Sequence, residues 1–238
     1  LIALRLRAKK LTIVAVFAAM YGAVSLLPGF PIIGLSGSEI GLARSMEIGY
    51  GLILGPALGP ASAFLGGVVG KLITGDSVGL LFTPLAIVST FMAASLSRRL
   101  IFRVRGWLIS SILLALLIAF WYLTPTGQNA PLYAAPHLVG LAILLLFRSR
   151  ITDNLCSKEK RKLTIGLLLS SYPSTMAGQM LGNLIFILLL SPSPSFFVAL
   201  LPVTVAERII LTALATVVGV PIVLAARSTS LIQGNNAE

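Results

Sequence analysis

Residues 107–124, WLISSILLALLIAFWYLT, decide the fold, because they read as a helix that crosses a lipid bilayer. No charged side chain interrupts them, and their length matches the roughly 20 apolar residues that span a hydrocarbon core. A chain in hydrocarbon must satisfy its own backbone hydrogen bonds, which leaves only helices or closed barrels. Barrel strands would alternate with a period of two, and no such alternation is sustained here. Outward from this stretch, similar blocks lie at about 11–29, 42–55, 57–74, 79–97, 132–147, 163–190 and 197–226. The block at 42–55 is short and starts polar, and 132–147 is short and holds Pro136 and His137.

The bulk composition agrees. The 238 residues are 57% hydrophobic and 11% charged, with a mean hydropathy of +0.99. A soluble domain would carry about a quarter charged residues. The expected class is an all-α, polytopic integral membrane protein with about eight hydrophobic segments and one transmembrane domain over 1–238.

A net charge of +11 could indicate nucleic acid, but its placement excludes that partner. Four basic residues precede the first block (Arg5 to Lys10) and four follow the fourth (Arg98 to Arg105). Six follow the sixth (Arg148 to Lys162), and Arg227 follows the eighth. If the blocks cross alternately, all of these fall on one side. By the positive-inside rule that side is cytoplasmic, so both termini are expected inside the cell's inner membrane. The first block, although preceded by a basic segment, lacks a persuasive small-residue cleavage site and is expected to be retained. Cys156 is the sole cysteine and falls in a cytoplasmic loop, where no disulfide is expected. One cysteine and one histidine do not make a Cys/His metal cluster.

Catalysis finds little support. HExxH is absent, and the lone His137 has no serine or carboxylate at a useful spacing. GxxxxGK[ST] is also absent, so any use of ATP requires another chain. The chain is therefore expected not to be an enzyme and to carry no cofactor.

Ionisable groups inside membrane helices cost a few kcal/mol each and point to function or pairing. Glu207 and Arg208 lie in the eighth block, and Lys71 near the outer end of the third. Arg44, Glu47 and Tyr50 are three apart and share a helix face. Tyr172, Thr175, Gln179 and Asn183 form a stripe along the seventh block. Converging, these groups would line a cavity in the outer half of the membrane, suited to a polar, ring-containing solute. Each also has a structural reading. Glu47 can pair with Arg44, and Glu207 with Lys71 or Arg208. The amides can bond neighbouring helices, Lys71 can snorkel, and Trp121, Tyr122 and His137 can anchor helices at the outer boundary.

Loops and small residues complete the pattern. Residues 28–41, PGFPIIGLSGSEIG, form an exterior loop long enough to fold over a site. Gly55 to Pro60, GPALGP, turns the second block tightly into the third. Ala15, Ala19 and Ala23 recur at every fourth position, a spacing that lets helix backbones approach closely in lipid. Gly66, Gly67 and Gly70 mark the third block, and Gly178 and Gly182 the seventh. Such stripes serve packing within the chain or a partner; the first is the longest and the best placed for a partner.

Three stretches resemble a known family. LTIVAVFAAMYGAVSLLPGFPIIG (11–34), GLILGPALGPASAFLGGVVGKLITG (51–75) and LLPVTVAERIILTALATVVGVPIVLAAR (200–227) are similar to the substrate-binding S components of energy-coupling-factor (ECF) transporters. The resemblance covers roughly 8–100 and 163–227. It implies capture of one vitamin or similar micronutrient near the exterior, beneath the loop at 28–45. It also implies docking of Ala15, Ala19 and Ala23 onto a transmembrane coupling protein driven by ATPases, with import by toppling in the bilayer. The family core has six helices, which makes 107–148 an inserted hairpin. On this reading Arg44 gates the site, Glu47, Lys71 and Glu207 hold charged groups, Gln179 and Asn183 read ring edges, and Tyr50 stacks. The rival is a self-sufficient secondary transporter with a proton on Glu207 or Glu47, although no inverted repeat joins the two halves. A third class is a membrane adaptor without ligand.

Overall fold

The computed structural model describes residues 2–31 and 39–228. Helix α1 runs Ile2–Val24 and is followed by two short antiparallel strands, β1 (Phe30–Pro31) and β2 (Glu39–Ile40), with Phe30 opposite Ile40. A 3-10 turn, Leu42–Ser45, leads into α2 (Met46–Thr74). Then come α3 (Ser77–Leu80) and α4 (Pro84–Leu96). A hairpin of β3 (Leu100–Ile101) and β4 (Val104–Arg105) joins α4 to α5 (Gly106–Leu123). After α6 (Pro125–Asn129) and a 3-10 turn at Pro131–Ala134 come α7 (Ala135–Cys156), α8 (Lys160–Leu190) and α9 (Pro194–Ser228). Among the described residues six stretches are long and apolar enough to cross a membrane. The protein is an all-α, polytopic membrane protein.

Eight blocks reduce to six such stretches for two local reasons. Leu42–Thr74 counts as one apolar stretch because helix continues on both sides of Gly55. Gly55 itself has φ 80° and ψ −173°, which no helix contains, and Pro56 opens the next turn. The chain reverses there. A Cβ at Gly59 would lie 2.9 Å from the Tyr50 carbonyl oxygen, whereas an unbroken helix would separate residues nine apart by about 13.5 Å. So the two blocks are arms of one bent helix, joined at the tight turn that the glycines and prolines predict. The first block, in turn, is apolar only over Lys10–Val24 and ends before Pro28.

Small residues set the packing. A side chain at Gly66 would collide with the Ala18 carbonyl and the Tyr21 Cβ, so α1 lies directly on the second arm of α2. A side chain at Gly182 would come within 2.6 Å of Leu85, where α8 crosses α4. The glycine stripes on α2 and α8 therefore work within the chain. The alanine stripe does not. Ala18, Tyr21 and Gly22 face α2, while Ala15, Ala19 and Ala23 are exposed, beside exposed Val16 and Met20.

The stretch at 107–148, expected as an inserted hairpin, packs against the helices on both sides of it in sequence. Helix α5 lies against α4, α7 and α8, and α7 packs along α8. Helix α7 also continues past 148. Arg148 breaks its geometry at φ 39° and ψ −122°, with its guanidinium 5.7 Å from the Trp107 ring, and the helix resumes to bury Ile151 and Leu155. Trp121 and His137, expected as boundary anchors, are instead fully buried. Their neighbours explain it: Trp121 packs on Tyr133 and Phe197 (centroids 5.1 and 4.9 Å), and His137 lies 6.0 Å from Tyr133.

The basic loops meet at one end of the bundle. Thr152 donates to the Leu96 carbonyl at 2.8 Å, and Arg99 pairs with Asp153 at 3.1 Å. Arg227 donates to the carbonyls of Ser157 (2.6 Å) and Leu155. The Arg98 guanidinium covers the Gly55 turn, leaving no room there for a Cβ.

Candidate functional site

A cavity of about 130 Å³ opens among the helix ends away from the basic loops. It is roughly ten times what one water needs, and so suits a small organic molecule better than a bare ion. Tyr21 of α1, Ser25 just after it, Glu39 and Gly41 of the loop, and Arg44 of the 3-10 turn form one side. Lys71 of α2 and Phe82 before α4 add to it. The other side comes from Tyr133, from Gln179, Asn183 and Phe186 of α8, and from α9. Helix α9 contributes Phe196, Phe197, Thr204, Glu207 and Arg208.

Charges at this wall stand in pairs. Arg208, 2% exposed, lies 3.4 Å from the Glu207 carboxylate, its neighbour in sequence. Lys71 pairs with Asp76 at 2.6 Å and donates to the Glu39 carbonyl at 2.9 Å. Arg44 donates to the Phe82 carbonyl at 3.3 Å and stands 3.8 Å from Glu47. These contacts also tether the ends of the loop at 28–45: the Gly29 N–H donates to the Glu39 carboxylate at 2.7 Å, opposite Lys71's grip on the Glu39 carbonyl. Residues 32–38 of that loop lie outside the described residues.

Of the seven residues singled out from sequence, Arg44, Lys71, Gln179, Asn183 and Glu207 line the cavity. Glu47 and Tyr50 do not. Glu47 is buried one layer behind, accepting a 2.8 Å hydrogen bond from the hydroxyl of Tyr21, which does reach the wall. Tyr50, expected to stack on a ligand, is packed between α1 and α2. Its hydroxyl donates to the Phe17 carbonyl at 2.8 Å, and its ring meets Phe17 and Tyr21 edge to face. Glu47 and Tyr50 do share a face of α2, but that face is turned to Phe17 and Tyr21 of α1 rather than to the cavity. The α8 stripe divides as well: Tyr172 donates to the Pro136 carbonyl, and Thr175 bonds back to Tyr172 within its own helix. Lys71 has Asp76 for its acid, not Glu207.

Sequence reasoning missed Tyr133 and the phenylalanines. The Tyr133 hydroxyl lies 3.3 Å from Asn183 Oδ1 and 3.2 Å from Thr204 Oγ1, so it ties α8 to α9 at the cavity. Its ring packs on Phe197 (5.0 Å), and Phe186 stacks on Phe196 (5.6 Å, 6° between planes). The available signal was weak, since a tyrosine beside a proline at a helix start also reads as a boundary anchor. Among the described residues no group of three or more His, Cys, Asp or Glu is placed to hold a metal ion.

Comparison with known proteins adds a distant likeness. No family model matches the chain, and no solved structure matches it. It is similar to an uncharacterized protein of Methanocaldococcus jannaschii, MJ0923, 27% identical over 188 residues. The match covers 77% of this chain and 60% of the relative, so the chain spans well under two thirds of the relative's length.

Proposed function

We propose that the protein is the substrate-binding S component of an ECF-type importer for a vitamin-like micronutrient. It captures solute on the outer side of the inner membrane and delivers it through a transmembrane coupling protein driven by ATPases. It performs no chemistry of its own and needs no cofactor. The observation that carries this reading is the cavity, polar and aromatic, at the end of the bundle away from the basic loops and edged by the loop after the first helix. By the positive-inside rule that end faces outward. The exposed Ala15, Ala19 and Ala23 face supports it, since small residues turned away from the bundle suit close approach by a partner helix.

Mass spectrometry of small molecules released from the detergent-purified protein is the direct test. A stoichiometric organic solute is the expected result. Uptake of that solute into liposomes by this chain alone, driven by a proton gradient, would replace the proposal with a secondary transporter.

A further inference from the structure

Three cations line the cavity, each beside an acid: Arg208 with Glu207, which also lines it, and Lys71 with Asp76 and Arg44 with Glu47, which do not. Only the Glu39 carboxylate stands apart from these pairs, exposed and bonded to the Gly29 N–H. An anionic ligand would have to displace one of these acids from its cation, and Glu39, at the exposed rim, is the carboxylate left to a cation.

Besides the Arg208 Nε–H, which has no acceptor, the wall leaves two neutral groups unmet. Gln179 is 8% exposed, and its Oε1 is buried with no partner. Asn183, one turn further along the same face of α8, has Oδ1 within reach of Tyr133, while its Nδ2 has no partner. Unmet buried groups of this kind cost about 1–3 kcal/mol each, so a ligand that meets both gains twice. One amide asks for a donor and the other for an acceptor. Beside them the cavity is lined by the aromatic side chains of Phe186, Phe196, Phe197 and Tyr133.

Resting on the capture reading above, we infer that the ligand is an electroneutral, planar heterocycle presenting an N–H beside a C=O, a lactam or imide edge. The edge meets Gln179 and Asn183, and the ring lies against the aromatic wall. A bare cation would leave Asn183 Nδ2 without an acceptor, and a simple organic anion would leave Gln179 Oε1 without a donor.

The experiment is thermal unfolding of the purified full chain in nanodiscs at pH 7, where a ligand that binds the folded state raises the melting temperature. The probes are uracil, lumazine and lumichrome, neutral rings of increasing area with this edge. Their controls are the same rings methylated at both N1 and N3, which leaves no N–H beside a carbonyl, and orotate, which is uracil with a carboxylate. At least one neutral ring should raise the melting temperature by several degrees, with its methylated form and orotate giving no rise. Gln179→Met and Asn183→Leu, near-isosteric, should each abolish that rise while unfolding cooperatively on their own. Equal stabilisation by a methylated ring, or stronger stabilisation by orotate, would overturn the inference. If no ring acts but a small-molecule cell extract does, the ring class falls and capture stands. If neither acts, both fall.

Discussion

Arg208 is the costliest residue of the cavity to bury, and its compensation is modest. The 3.4 Å separation from Glu207 exceeds the 2.7–2.9 Å of a good charge-assisted bond, and Nε has no acceptor. Replacing Glu207 by leucine would strand a buried guanidinium, which costs about 3–5 kcal/mol. Removing both charges together should recover most of that. A thermal double-mutant cycle with Glu207→Leu and Arg208→Leu should therefore show a large favourable coupling, and simple additivity would mean the pair is solvated. Glu207→Gln keeps an acceptor for Arg208, so the fold should persist while ligand affinity falls about tenfold, as loss of a charged hydrogen bond allows. Unchanged affinity would remove Glu207 from the site. Five wall residues were legible in the sequence because a polar or charged atom in hydrocarbon is expensive and stands out. Tyr133 was not legible, since its ring is apolar enough to need no special reason. Tyr133→Phe tests its share: loss of its bridge to Asn183 and Thr204 should weaken binding several-fold at a stability cost of about 1 kcal/mol.

At the scale of elements, one helix separates two meanings of the same small-residue pattern. Helix α1 turns Ala18 and Gly22 toward α2 and Ala15, Ala19 and Ala23 away from it. Periodicity reveals both stripes but not which has a partner inside the chain, because that depends on where Gly66 sits on the neighbouring arm. The two faces should respond oppositely to bulk. Gly66→Leu has no room against the Ala18 backbone and should cost at least the 1–3 kcal/mol of ordinary overpacking. Ala19→Phe projects into open space, so its melting temperature should stay within about 0.5 kcal/mol equivalent of the parent. In the importer reading it should nevertheless block co-purification with the coupling protein while sparing ligand binding. A fall in stability equal to that of Gly66→Leu would make the outer stripe structural too. The turn between the second and third blocks was legible in the Gly/Pro run at 55–60; the left-handed conformation of Gly55 that makes it was not.

For the whole molecule, orientation follows from charge, and the fold lets that be tested with two thiols. The loops after α4 and α7 and the end of α9 are joined by Thr152, Asp153 and Arg227, so they share one side whatever that side is. They carry most of the basic residues, and the potential and the translocation machinery hold such loops inside. Cys156 is exposed at that end and is the chain's sole cysteine. Ser193, exposed between α8 and α9, lies at the far end of α8. Helix α8, at 31 residues, is about 46 Å long, enough to cross the bilayer with its polar borders. A membrane-impermeant maleimide should therefore label Cys156 in inverted vesicles and not in intact cells. In a Cys156→Ser background, Ser193→Cys should show the reverse. Exchange of the two results would turn the cavity toward the cytoplasm, and capture from outside would have to be abandoned. Labelling of both positions from one side would mean that α8 does not cross at all, against its length and composition.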